Sequence, residues 1–439
     1  PESYELPNDE DLAYCETCAS ISNVFWNKSM FKIFGDSKYF DNIEKQLYNN
    51  VLSGVGLDGT SFNYTNNLET IEGYLRTSWK GTPCCPTNLV RLINKLSEYI
   101  YATDKETNTA FVNLFIGSKG NFDLGDTNIG VDMTSSMPWE GNAALTLSLE
   151  SAKEFTLKFR LPSWAKGANA ITINGESYTA TAGSDGYVAI TRSWANGDVI
   201  TLNFPMSVEF VRNGDVIPAN KGLTAVTRGP VTYCVEQQDS TTDLDLLCIN
   251  EDSTITPEFV TNFVADNTYK TAELQVLKVT GQTINDYKKG NNNTINFTMI
   301  PYLAWSNRGA DGMKVYLRDG SEEYDTWDYN KTIAENATPS ATTTHSNSPV
   351  SKLNDRDKAY GSRWSSWLSS AYPNESKYPT VTYDFGANYV KLTATDVYFF
   401  TDGGGCQLPD NVDIEYWNGS EWVDGTITNT PEFTFQTRY

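Results

Sequence analysis

The spacing of apolar residues changes once along the chain, near Lys105, and this change decides which folds the sequence can adopt. Before this point, apolar side chains recur every three or four residues, which is the repeat of an amphipathic helix. After it they alternate with polar side chains, which is the repeat of a half-buried strand. The sequence therefore predicts a mixed multidomain fold in which a helical segment precedes β-rich domains.

Three helices are predicted in the first hundred residues. The first starts near Asn8, the second ends at Gly54, and the third starts at Pro86, because proline fits the first turn of a helix. A hairpin is predicted between the second and third helices, with Leu57–Thr60 as the turn and Ser61–Thr65 as a strand. The apolar helix positions are Cys18, Ile21 and Phe25, then Phe40, Ile43, Leu47 and Val51, then Leu89, Leu92, Ile93, Leu96 and Ile100.

The β-rich part divides into several predicted domains. Asn-Gly and Asp-Gly turns separate alternating segments such as Phe155/Leu157/Phe159, which is typical of a β-sandwich. We predict a β-sandwich over 106–230, a second β-rich domain over 231–320, a linker rich in Thr, Ser, Asn and Pro over 321–350, and a further β-rich block over 351–439. The length of 439 residues fits two to four domains.

The net charge of -22, from 33 basic and 55 acidic residues, makes nucleic acid an unfavourable partner, because the field of the protein repels phosphates. A neutral sugar would not experience that repulsion. The sequence has no apolar run of the roughly 18 residues that a membrane helix requires, so no membrane span is predicted within this chain. Aromatic residues make up 13% of the chain, which fits both β-sandwich cores and carbohydrate-contacting surfaces.

Two short strings carry four of the seven cysteines: Cys15-Glu16-Thr17-Cys18 and Pro83-Cys84-Cys85-Pro86. One glutamate and three cysteines would complete the tetrahedral shell of a zinc ion. Because Glu16 and Cys18 are two residues apart, both reach one ion only in an irregular turn or at a helix start. The sole histidine, His345, lies in the predicted linker, so a histidine-based mechanism within this chain is disfavoured.

The prediction that Pro86 starts a helix makes Cys85 its N-cap and places both thiols at the positive end of the helix dipole. That position lowers the pKa of a thiol and favours the thiolate, which is both a nucleophile and a metal ligand. Two other interpretations remain open from the spacing. The first pair of cysteines fits a structural metal site or a redox pair, and the adjacent pair fits two small buried apolar residues.

Several strings together resemble glycoside hydrolase family 127, the bacterial β-L-arabinofuranosidases. The similarity covers roughly residues 1–318 in the family's order. The strings are Tyr4-Glu5-Leu6-Pro7-Asn8-Asp9, Tyr14-Cys15-Glu16-Thr17-Cys18-Ala19, Leu57-Asp58-Gly59 up to Tyr64, Arg76-x-x-Trp79, Cys84-Cys85-Pro86-Thr87-Asn88, Arg160-Leu161-Pro162-x-Trp164, Arg228-Gly229-Pro230-Val231 and Ile300-Pro301-Tyr302-x-Ala304-Trp305-x-Asn307-Arg308-Gly309.

The resemblance implies a zinc ion bound by Glu16, Cys18, Cys84 and Cys85, with Cys84 as the nucleophile and Tyr64 in contact with the sugar. It implies that residues 1–105 are the last helices of an (α/α)6 barrel, followed by β-sandwich domains. The implied reaction is retaining exo-hydrolysis of terminal β-L-arabinofuranosyl residues of plant glycans, by a protein secreted or held at the surface of a bacterium. The family's acid/base glutamate would precede Pro1, since Glu2 is out of register.

The C-terminal block resembles a discoidin-like (coagulation-factor type C) domain, a kind of domain that often binds carbohydrate when attached to glycosidases. Trp364 and Trp367 fit either core packing or a sugar platform, and Asp402–Gly405 fits either a calcium loop or a plain turn. The strings are Arg363-Trp364-x-x-Trp367, Val381-x-Tyr383-Asp384-Phe385-Gly386 and Ile414-x-Tyr416-x-x-Gly419-x-x-Trp422.

Two alternatives accompany the arabinofuranosidase prediction. The same site could act on another furanose or on a rare pectic sugar. In a different class, the chain would be a carbohydrate-binding surface protein with a purely structural zinc site. A homodimer is included among the predicted partners.

Overall fold

The computed structural model divides the chain into two compact units, 1–324 and 325–439. Among the described residues, no helix is both long and apolar enough to cross a membrane. The structure describes residues 14–70, 74–78, 81, 83–166, 169–179, 181–217, 220–261, 263–264, 273–321, 337–342, 349–353, 380–384, 415–417 and 422–424.

The helical segment contains α1 (Thr17–Phe34), α2 (Lys38–Gln46), α3 (Cys84–Ile93) and α4 (Ser97–Ile100). Helix α2 continues into a π-helical turn over Leu47–Val51. The predicted helices are present, but two starts were wrong: α1 begins at Thr17 rather than near Asn8, and α3 begins at Cys84 rather than at Pro86. Proline fits anywhere in the first helical turn, where its missing N–H has no intrahelical partner.

The helices share one apolar core, which contains most of the predicted positions, but Ile93 is 40% exposed and Ile100 belongs to the core of the next domain. The members of the core that the helices share are Ile21, Val24, Phe31, Phe40, Ile43, Leu47, Val51, Leu89, Leu92, Tyr99, Leu114 and Tyr187. Since Leu114 and Tyr187 belong to the β-rich part, this core also attaches the helices to the next domain. The described helices do not establish an (α/α)6 barrel, which stays a prediction.

The next domain is a β-sandwich. A four-stranded sheet has the order β10-β7-β3-β2, a six-stranded sheet has the order β4-β5-β6-β11-β8-β9, and one apolar core is formed by both. Alternate residues point inward along each strand. The strands are β2 (Tyr101–Asp104), β3 (Thr109–Val112), β4 (Ser118–Asp123), β5 (Asn128–Ser135), β6 (Asn142–Ser148), β7 (Lys153–Arg160), β8 (Ala170–Ile173), β9 (Glu176–Tyr178), β10 (Tyr187–Trp194) and β11 (Val199–Asn203).

The second β-rich region differs from a sandwich, because six of its strands pair in a closed ring, β13-β14-β18-β17-β15-β20. Strand β1 (Glu69–Thr70), from the helical segment, joins the same sheet through β19. The strands are β12 (Val208–Val211), β13 (Leu223–Arg228), β14 (Val231–Glu236), β15 (Leu247–Cys248), β16 (Thr254–Val260), β17 (Leu274–Thr283), β18 (Ile295–Pro301), β19 (Met313–Lys314) and β20 (Leu317–Arg318), with helix α5 (Ile284–Lys289) after β17.

A buried ion-pair network attaches α2 to the sandwich. The Arg160 side chain is fully buried at the end of β7 and donates to Asp41 Oδ1 at 2.6 Å, to Glu44 Oε1 at 2.5 Å and to the Asn113 carbonyl at 2.6 Å. The other Glu44 oxygen accepts from Trp164 Nε1 at 2.7 Å. Every charged group in this network has a hydrogen-bonded partner, as burial requires.

The second unit is described only in short segments. Strand β21 (Thr338–Ala341), within the predicted linker, pairs with β22 (Val381–Asp384), and β23 (Glu415–Trp417) pairs with β24 (Trp422–Asp424). Trp364, Trp367 and Asp402–Gly405 lie outside the described residues, so the discoidin-like domain and its calcium loop stay predictions.

Candidate metal and active site

Glu16 and Cys18 face the same site because both lie at the start of α1. Glu16 is the N-cap, with an extended backbone, and Cys18 is the second helical residue. This is the helix-start placement that the sequence required for two residues of this spacing. The Thr17 N–H, which has no intrahelical acceptor, donates to the Tyr64 carbonyl at 2.9 Å. That bond fixes the start of α1 against the segment that carries Tyr64.

Cys84 and Cys85 are the first two residues of α3, with Pro83 as the N-cap. The prediction that Cys85 is the N-cap was therefore wrong, although both thiols do lie in the first turn. The positive ends of α1 and α3 thus meet at this cluster, and each favours negative charge on a carboxylate or thiolate. The Thr87 hydroxyl closes the first turn of α3 by donating to the Cys84 carbonyl at 2.9 Å.

The four predicted ligands lie together, with their ligand atoms all within 4.8 Å of one another. Glu16 Oε1 is 3.5 Å from Cys84 Sγ and 3.8 Å from Cys85 Sγ, while Cys85 Sγ is 3.4 Å from Cys18 Sγ and 3.8 Å from Cys84 Sγ. A tetrahedral zinc shell, with bonds of about 2.3 Å to sulfur and about 2.0–2.2 Å to oxygen, would space its ligand atoms roughly 3.5–3.8 Å apart. The donor set and its spacing therefore fit a zinc ion.

Burial distinguishes the two neighbouring cysteines. Cys85 is 2% exposed, whereas Cys84 is only partly buried. Cys18 is contacted by a second residue of α3, because Asn88 Nδ2 donates to Cys18 Sγ at 3.3 Å. Cys84 is thus the more accessible thiol of the adjacent pair.

Without a cation the thiols of Cys18 and Cys85 are held neutral, because burial raises the pKa of both. Burial also acts to raise the pKa of Glu16, but hydrogen bonds from Tyr14, Cys18 and Cys84 outweigh it and keep that pKa below its ordinary value. A divalent cation reverses the balance for thiols, since coordination deprotonates them. The site therefore has the character of a metal site, with a carboxylate that is already ionised.

Tyr64 lies beside this cluster, as its predicted contact with the sugar requires. Its hydroxyl is 2.9 Å from the hydroxyl of Tyr14, and Tyr14 donates to Glu16 Oε2 at 2.7 Å. The rings meet edge to face, with centroids 6.5 Å apart. We did not predict a role for Tyr14; the available signal was its position in the same string as Glu16, two residues before it.

Hydrogen bonds attach the segment that carries Tyr64 to the second β-rich domain. The Arg76 guanidinium donates to the Trp305 carbonyl at 2.8 Å and to the Ser53 carbonyl at 2.7 Å. The Trp305 indole N–H donates to Ser53 Oγ at 2.8 Å, and Asn307 Oδ1 accepts from the Leu57 N–H at 2.8 Å. The predicted turn at 57–60 is present, but the residues after it form isolated β-bridges rather than the predicted strand.

Three family models match the chain in succession. Residues 1–98 match the β-L-arabinofuranosidase GH127 catalytic domain, residues 109–206 the GH127 middle domain, and residues 208–318 the glycoside hydrolase family 127 C-terminal domain. Residues 1–318 belong to glycoside hydrolase family 127. The family resemblance inferred from the sequence is thereby confirmed for this part of the chain. The C-terminal domain of the family is the region of the closed ring, not the predicted discoidin-like block.

Relatives within family 127 cover the same part of the chain. The non-reducing end β-L-arabinofuranosidase of Bifidobacterium longum subsp. longum is 31% identical over 339 residues, which are 72% of this chain and 50% of that protein. The crystal structure of a GH127 β-L-arabinofuranosidase from Geobacillus stearothermophilus T6 matches with a TM-score of 0.65 and 34% identity, over 72% of this chain and 51% of that one. A second GH127 β-arabinofuranosidase structure gives a TM-score of 0.64 and 33% identity, with the same coverage. The chain thus spans about half the length of these relatives.

Proposed function

We propose that this protein hydrolyses terminal β-L-arabinofuranosyl residues of plant-derived glycans with retention of configuration, using Cys84 as the nucleophile. The observation that carries the proposal is the position of Cys84: it is the accessible thiol of the adjacent pair, in a four-ligand cluster beside Tyr64. Membership of residues 1–98 in the GH127 catalytic domain supports a catalytic rather than an incidental cluster.

The proposed chemistry has two displacement steps at the anomeric carbon. In the first, the Cys84 thiolate forms a C–S bond as the glycosidic C–O bond breaks and the leaving oxygen takes a proton from an acid. In the second, water attacks the same carbon, the C–S bond breaks and the thiolate is restored. Two inversions at one carbon give net retention. We assign the acid to no described residue.

Glu16, Cys18, Cys84 and Cys85 would hold a zinc ion, which supplies Lewis-acid charge that keeps the thiols ionised at neutral pH. Cys85, which is buried, and Cys18 serve as the firmly held ligands. Cys84 lies on the exposed side, where a sugar could reach its Sγ atom. Tyr64 would contact that sugar from the neighbouring segment.

The metal proposal predicts one zinc per chain in protein purified without chelator, measured by elemental analysis. Changing both Cys18 and Cys85 to serine should abolish zinc binding, because two of the four ligands are lost. The matched control is Cys15→Ser: Cys15 is also partly buried and precedes Glu16 directly, yet its thiol is not part of the cluster. Zinc that survives the double change would refute the ligand set.

The activity itself is tested on the full-length protein with a panel of aryl glycosides. We expect release of the aryl group from the β-L-arabinofuranoside, with little release from its α-anomer. The first sugar product seen by NMR should be the β-anomer, as two inversions require. An initial α-anomer would overturn the nucleophile mechanism, and preference for another furanose or for a rare pectic sugar would overturn the substrate.

A second candidate function is carbohydrate binding with a purely structural zinc site. It is favoured by one observation: the cluster already offers four protein ligands, and structural zinc sites are closed in this way while catalytic ones keep a position open. In the arabinofuranosidase proposal, one of the four ligands is itself the nucleophile, so the zinc ion needs no open coordination position for the substrate. The two candidates predict different consequences of changing Cys84.

We also propose that residues 351–439 form a discoidin-like domain that binds carbohydrate, and that the protein acts outside the cell or at the surface of a bacterium. The Trp364-x-x-Trp367 string and the tyrosine-rich composition support the first proposal. A plant glycan is too large to enter a bacterial cell, which supports the proposal that the protein acts outside the cell or at its surface. Binding of arabinan to the protein, lost on changing both tryptophans to alanine with the fold retained, would test the domain.

A further inference from the structure

A hydrogen-bonded chain runs from Tyr64 through Tyr14 to Glu16. Tyr14 Oη lies 2.9 Å from Tyr64 Oη and 2.7 Å from Glu16 Oε2. The second Glu16 oxygen, Oε1, faces the thiols, at 3.5 Å from Cys84 Sγ and 3.8 Å from Cys85 Sγ. The two oxygens of one carboxylate are thus divided between a tyrosine and the cysteine cluster.

The direction of the hydrogen bond between Tyr14 and Glu16 follows from the chemistry of the two groups. An ionised carboxylate only accepts, so Tyr14 donates its single proton to Glu16. Tyr64 hydrogen-bonds both to Tyr14 and to Glu16, so two tyrosines contact this carboxylate.

We propose that Tyr14 is a positioning residue for Glu16. By occupying Oε2 at 2.7 Å, it commits Glu16 to bind the metal through Oε1. The proposal rests on the metal site of the proposed function and not on the hydrolysis. Groups that hydrogen-bond to metal ligands orient them and strengthen binding in this way.

Tyr14→Phe tests this role, because it keeps the ring and removes only the hydroxyl. We expect zinc affinity, measured by competition with a chromophoric chelator, to fall by about 10–100-fold, as for other groups of this kind. With cobalt in place of zinc, the thiolate charge-transfer absorption should persist, since all three cysteines remain. The ligand-field bands should change, because Oε2 then lacks the Tyr14 hydrogen bond that keeps it from the metal.

Tyr101→Phe is the matched control. The Tyr101 hydroxyl also hydrogen-bonds to a side chain, at 2.9 Å from Ser118 Oγ, but it lies away from the cluster, so neither the zinc affinity nor the cobalt bands should change.

Unchanged zinc affinity and unchanged cobalt bands in Tyr14→Phe would overturn the positioning role, whatever the activity of the wild type. Weakened zinc binding in Tyr14→Phe, together with no glycosidase activity of the wild type, would support the positioning role and refute the proposed function.

Discussion

Replacing Cys84 by serine is expected to lower kcat on a terminal β-L-arabinofuranoside by about 10³-fold or more, as loss of a nucleophile does in other enzymes. The reason is that the proposed step requires a thiolate, whereas the serine hydroxyl stays protonated at neutral pH and is a much weaker nucleophile. Zinc content and thermal stability should fall much less, since Glu16, Cys18 and Cys85 remain. Steady-state kinetics and elemental analysis of the same preparation measure both quantities.

The controls for Cys84→Ser lie in the same two strings. Cys15→Ser removes a partly buried thiol outside the cluster and should leave kcat and zinc content unchanged. Cys85→Ser removes the most buried thiol and should lower zinc affinity and stability along with activity. If Cys84→Ser instead lost stability and zinc while each remaining zinc-loaded molecule turned over at the wild-type rate, the site would be structural.

A covalent label gives an independent test of the same assignment. A thiol-directed arabinofuranose mimic should modify Cys84 in the full-length protein, and peptide mass mapping would show the modified residue. Label on Cys85 would contradict the exposure argument, because Cys85 is 2% exposed. Label on Glu16 would indicate a carboxylate nucleophile.

The clustering of Glu16, Cys18, Cys84 and Cys85 could be predicted from the sequence, because each pair lies in one short string and the two strings resemble those of the family. The spacing of Glu16 and Cys18 required a helix start, and the structure places Glu16 at the N-cap of α1. The start of α3 was misplaced by two residues, since Pro86 signals a first turn without signalling its first residue. The role of each ligand stays a prediction.

The supports of the site could not be predicted, because they join residues that are far apart in sequence. Arg76 meets Trp305 across 229 positions, and Asn49 donates to the Pro230 carbonyl across 181. No local pattern encodes such a pairing. The closed ring of six strands was missed for the same reason: alternation identifies a strand but does not say which neighbour completes the sheet.

The largest expected effect on stability comes from Arg160, which joins the helical segment to the sandwich. Arg160→Met should lower the free energy of unfolding by about 3–5 kcal/mol, as breaking one side of a buried ion pair does. After this change, Trp164 is the only group of the network that still donates a hydrogen bond to Glu44. The Glu44 carboxylate is 1% exposed, so water does not compensate its charge. Urea unfolding followed by tryptophan fluorescence measures the loss.

Lys153→Met is the matched control for Arg160→Met, because Lys153 begins the same strand, β7, and pairs with Asp126 near the surface. An exposed pair of this kind contributes about 0–1 kcal/mol, so the unfolding midpoint should barely move. Equal effects of the two changes would show that the Arg160 network does not hold α2 to the sandwich. A larger loss for Arg160→Met, reduced when Glu44→Leu and Asp41→Asn are added, would show that the uncompensated carboxylates, and not the lost side-chain packing, cause the instability.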